Sequence, residues 1–134
     1  MELDPEELLD ALEAHGRRAG LAVHRNRSAM IAALTEASEL GAGQPRNEPA
    51  ALFYTLGRRL SHFGPAAQFF LRSVVRASAL ANGYELEMSE LELAIHCAGI
   101  ARGELGFVEL RGWIAARLRP LGQKGKPSTP KRPR

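Results

Sequence analysis

Apolar positions recur at three- and four-residue intervals along most of the chain, the period of helices with one buried face. Two stretches carry the pattern most densely. From Glu48 to Phe63 the positions Leu52, Phe53, Leu56, Leu60 and Phe63 form one stripe. From Ala66 to Asn82, beyond a hinge at Gly64-Pro65, Phe69, Phe70, Leu71, Val74, Val75 and Leu80 place apolar groups on more than one face, which predicts a central helix. Asn82-Gly83 is a left-handed C-terminal stop for it.

The remaining segments read as helices with marked ends. Asp4 caps a first helix with Pro5 at its first position, Glu7 as the third-position acid and Leu3 and Leu8 as a hydrophobic staple. Leu8, Leu9 and Leu12 give its apolar face, and Leu21-Ala22-Val23 predicts a short extended connector. Asn26 or Ser28 caps a second helix that buries Met30, Ile31, Leu34 and Leu40 and stops at Gly41. Tyr84 to Met88 alternates as a minor edge strand would. Ser89 with Glu92 is a capping box for a helix with Leu91, Ile95, Ala98 and Ile100 inward. A last helix runs from Phe107, with Leu110, Trp113, Ile114 and Leu118 on one face and Arg117 and Arg119 near its end, until Pro120 stops it. The expected fold class is all-α: a compact helical domain around a central helix over residues 1–119, then a disordered basic, proline-rich tail over 120–134.

Charge divides the chain at the same point. Of 18 cations, five (Lys124, Lys126, Lys131, Arg132 and Arg134) lie beyond Pro120, where there is no acid, so residues 1–119 hold 13 cations against 15 acids. All the lysines are in the tail. The body therefore offers no lysine for a Schiff base or a phosphate loop. The single cysteine forms no internal bridge. Neither a leader-like segment nor a run long enough to span a bilayer is present, so a cytoplasmic protein with no membrane partner is expected.

Three stretches carry a family resemblance. They are Glu48-Pro49-Ala50-Ala51-Leu52-Phe53-Tyr54; Ala79-Leu80-Ala81-Asn82-Gly83-Tyr84-Glu85-Leu86; and Ala101-Arg102-Gly103-Glu104-Leu105 leading to Val108-Glu109-Leu110-Arg111-Gly112-Trp113-Ile114. Over residues 48–119 the chain resembles the Fic/Doc superfamily, in particular the small death-on-curing toxins. The resemblance implies a helix before an active-site loop, a central helix and a final helix, in a toxin-antitoxin setting. It also implies a loop His-x-Phe-x-Asp-Gly/Ala-Asn-Lys/Gly-Arg at the start of the central helix. That loop is degenerate here. With Asn82-Gly83 fixing the register, its histidine falls on Ser61, its acid on Pro65, its asparagine on Ala67 and its arginine on Phe69, and only Phe63 matches. Sliding by one residue recovers His62 but places Gly64 and Phe70 at the phenylalanine and arginine positions.

Phosphoryl or nucleotidyl transfer needs groups that hold a metal, neutralise phosphate charge and accept a proton. Pro65, Ala67 and Phe69 supply none. The expectation is a catalytically inactive Fic/Doc-like protein, with no catalytic residue, metal or cofactor, acting on a protein partner or by self-association. Its candidate anion or partner site comprises His62, Phe63, Ala66, Ala67, Arg72 and Arg76, next to Arg58-Arg59. The alternative is a nucleic-acid-binding helical protein that uses this arginine cluster and the tail cations Lys124, Lys126, Lys131, Arg132 and Arg134. A helix-turn-helix over Ser89 to Leu118 would present Glu90, Glu92, Glu104 and Glu109 to a polyanion. His15, His24, His62 and His96 lack metal-ligand spacing, and Cys97 and Trp113 read as core residues.

Overall fold

A computed structural model describes residues 3–122. Six helices form the body: α1 (Pro5–Ala19), α2 (Arg27–Gly41), α3 (Glu48–Gly57), α4 (Ala67–Ala81), α5 (Glu90–Ala101) and α6 (Phe107–Ala115). Short 3₁₀ turns at Pro45–Asn47 and Leu60–His62 flank α3. The fold is all-α apart from one small ribbon, β1 (Tyr84–Leu86) with β2 (Leu118–Pro120). The described helices include none long and apolar enough to cross a membrane.

Local chemistry sets the helix ends. Asp4 accepts the Glu6 N–H at 2.9 Å, Asn26 accepts from Ala29 N–H at 3.0 Å, and the reciprocal Ser89–Glu92 capping box is complete. The N–H of Gly106 donates to Glu109 at the start of α6. One turn apart on α1, Glu6, Asp10 and Glu13 converge on Arg25 at 2.7–2.8 Å, fastening the connector and the start of α2 to α1.

The centre of the body is α3, not α4. Eight of the ten residues of α3 are buried, and it packs against α2, α4, α5 and α6. Its small residues make this possible. At Gly57 an added Cβ would sit 3.2 Å from Ile100, so α5 approaches where a side chain would hold it off. The first dense stretch also divides: α3 ends at Gly57, and Leu60 and Phe63 reach the core from the turn beyond. Displaced from the middle, α4 packs α3, α1, α5 and β1 with Leu71, Val75 and Ala79 and leaves its opposite face open.

Three further expectations are corrected. α6 ends at Ala115, and Leu118 to Pro120 pair antiparallel with β1 in the register Leu86 with Leu118, Glu85 with Arg119 and Tyr84 with Pro120. Leu121 N–H then bonds Gly83 O. α5 is rotated: Leu93, Cys97 and Ile100 point inward, while Leu91 and Ile95 are 70% and 58% exposed. α2 buries Met30, Ala33 and Ala37, with Ile31 at the surface.

A paired carboxylate joins α2 to the end of α3. Glu36 accepts from Arg59 at 2.8 Å and from Arg58 at 2.6 Å. Burial pushes its pKa up, but the hydrogen bonds and charges of Arg59 and Arg58 outweigh that and hold it below the ordinary carboxylate value. Because the folded value is the lower one, the pair stabilises the protein above the ordinary carboxylate range. That contribution disappears as pH falls through the depressed value. Glu36→Gln is expected to cost about 1 kcal/mol in urea unfolding at neutral pH, with the gap to wild type closing in acid. A gap that stays constant down to low pH would show that the ion pair contributes nothing.

Candidate functional site

The hinge from α3 to α4 holds four of the six residues of the expected anion or partner site, His62, Phe63, Ala66 and Ala67. His62 ends the 3₁₀ turn and is exposed, whereas Phe63, Ala66 and Ala67 are buried at 2%, 0% and 3% exposure. The extended connector lies across them. His24 N–H donates to Phe63 O at 2.9 Å, and an added Cβ on Gly64 would come within 2.8 Å of Ala22 O. Leu21 N–H is tied in turn to Gly16 O. The start of α4 is thus closed by packing, with no side-chain cap and no charged group in its first turn.

Arg72 and Arg76 lie elsewhere. Arg76 is nine residues beyond Ala67, a rise of roughly 13 Å along the helix, so it belongs to a different surface from the hinge. Arg72 is half-buried and its Nε donates to Met88 O at 2.7 Å, while Arg76 is exposed. Arg58 and Arg59 are engaged with Glu36. The tail cations Lys124, Lys126, Lys131, Arg132 and Arg134 lie outside the described residues.

A second feature escaped the sequence reading. Ser78, 1% exposed, donates to Glu48 Oε1 at 3.0 Å, and Asn82 Nδ2 bonds both that oxygen and Ser78 O. This cluster ties the start of α3 to the end of α4. It borders a groove of about 680 Å³ whose walls include Leu3, Ile31, Leu34 and Leu52. Nothing in the local sequence pairs Asn82 with Glu48, which lies 34 residues away.

The other polar and aromatic candidates act in packing. The His96 ring lies 3.9 Å from the Trp113 ring, and the Arg117 guanidinium stands 4.4 Å from the centre of the same indole. Arg117 also pairs with Glu92 at 2.6 Å, so the cluster staples α5 to α6 and to the segment before β2. Glu92 is held below its ordinary pKa by the Ser89 N–H and by Arg117. Cys97 is buried and desolvation pushes its thiol to about 11, which keeps it protonated and unreactive at neutral pH. Among the described residues no three His, Cys, Asp or Glu side chains are grouped to hold a metal ion.

No family model matches the chain, and neither a curated protein nor a solved structure matches it.

Proposed function

We propose that the chain is a Fic/Doc-like domain without transfer chemistry that works in the cytoplasm as a protein-binding, regulatory module related to toxin-antitoxin systems. The observation that carries this reading is the closed hinge. Where such a loop would present a base and charge-stabilising groups to a nucleotide, Phe63, Ala66 and Ala67 are buried apolar side chains covered by the connector. Binding has better material. The open face of α4 combines large apolar groups, Phe69 and Leu80, with Arg76 between them, the residue types that anchor protein interfaces.

The nucleic-acid alternative draws less support from the body. Arg25, Arg27, Arg58, Arg59, Arg102 and Arg117 are engaged with carboxylates and do not form a continuous basic face.

The test is incubation of the full chain with labelled nucleoside triphosphates and cell lysate. No label above a protein-free control is expected on any protein. Incorporation that disappears with His62→Ala would overturn the reading, because the shifted register would then supply a working base.

A further inference from the structure

Two neighbouring helix faces are left uncovered, and they carry opposite charge. On α4, Phe69 and Leu80 are 44% and 53% exposed, Arg76 lies between them, and the helix contains no acid. On α5, Leu91 and Ile95 are more exposed still, and Glu87 and Glu90 stand exposed beside them. Among the described residues Arg76, Glu87 and Glu90 enter no ion pair, whereas Arg25, Arg27, Arg58, Arg59, Arg102 and Arg117 do. The faces adjoin. Arg72, one turn from both Phe69 and Arg76, bonds the carbonyl of Met88 just before the Ser89 cap, and α4 packs on α5.

Occupants of such a surface can be compared by charge. An acidic helix would suit Arg76 but meet Glu87 and Glu90, and a basic one would meet the reverse conflict. A neutral apolar segment would cover Arg76 and both carboxylates without pairing them, which is costly. A second copy turned by a two-fold axis sets the basic face of each α4 against the acidic face of the other α5, so both halves are satisfied at once by one contact made twice.

We propose that a second copy of this chain docks on the outer faces of α4 and α5, forming an isologous dimer with Phe69, Leu80, Leu91 and Ile95 at its apolar centre. This names the partner for the binding role proposed above and rests on that reading. α4 and α5 are ordinary surface helices on their outer sides, so substitutions there leave the core intact.

Sedimentation equilibrium of the full chain over a range of concentrations tests it. Wild type is expected to reach twice the 14.6 kDa chain mass, and Ile95→Glu to stay monomeric with an unchanged circular dichroism spectrum. Arg76→Glu and Glu90→Arg should each weaken the dimer by about tenfold or more, since each creates like-charge contacts twice. Their combination in one chain exchanges the two signs and should recover most of the loss. A wild type that remains monomeric, a dimer indifferent to Ile95→Glu, or a double variant no stronger than the singles would overturn the proposal. Any of these results leaves the non-catalytic reading to stand or fall by the labelling assay alone.

Discussion

Val75→Asp is expected to abolish cooperative folding. Val75 has no exposed surface and faces the interior with Leu71 and Ala79 where α4 meets α3. No cation is free there to receive a carboxylate: Arg72, one turn away, donates to the Met88 carbonyl, and Arg76 is exposed. An unpaired buried charge costs several kcal/mol, on the order of 3–5, against a total stability of about 5–15 kcal/mol for a typical domain. Urea unfolding followed by circular dichroism checks it. Val75→Ala serves as the control, because it removes apolar volume without adding charge and should only lower the midpoint, by about 1–3 kcal/mol. A Val75→Asp variant that unfolds cooperatively near the wild-type midpoint would show that α4 does not pack by this face.

How far the sequence reached depends on how local each determinant is. The Asp4 and Ser89–Glu92 caps and the Asn82-Gly83 stop involve residues within a turn of one another and were readable in advance, and of the two candidates Asn26 and Ser28 it is Asn26 that caps α2. The rotation of α5 was not. Leu91, Ile95 and Ala98 satisfy helical spacing as well as Leu93, Cys97 and Ile100 do, so periodicity alone leaves two candidate faces. The choice is made by what packs there, with Ile100 reaching into the gap left by Gly57 and His96 stacking on Trp113. The same holds for Leu118, which continues the spacing of Leu110 and Ile114 yet leaves the helix to pair with Leu86.

The candidate site shows the same division. That Pro65, Ala67 and Phe69 carry no group able to bind phosphate or accept a proton is a matter of residue identity and can be read from the sequence. The open face of α4 depends on α3 taking the centre of the body, which rests on Ala50, Ala51 and Gly57 allowing close approach of α2, α4, α5 and α6. A helix rich in large apolar groups looked the more central of the two. Small residues won because they admit more neighbours, and the surplus apolar groups Phe69 and Leu80 remained outside.

The closure of the hinge can be tested at one atom. Gly64 and Gly83 both adopt positive φ, 93° and 88°, so alanine is strained at either position by about 1–3 kcal/mol. Their surroundings differ. Around Gly83 an added Cβ meets nothing within 4 Å, whereas at Gly64 it lies 2.8 Å from Ala22 O and 3.2 Å from Val23 Cα. Both are backbone atoms of the connector, which is tethered by the His24 to Phe63 hydrogen bond and by Arg25 to α1. Relief therefore requires the connector to lift from the start of α4. Gly64→Ala should cost about 2–4 kcal/mol and lower the thermal midpoint on the order of 10 °C, with Gly83→Ala losing clearly less. Hydrogen exchange should locate the difference at the His24 amide, which loses its acceptor geometry only in Gly64→Ala. Equal losses at the two glycines, with the His24 amide unaffected, would mean that the connector does not seal the hinge, and the closed-loop argument against transfer chemistry would lose its structural support.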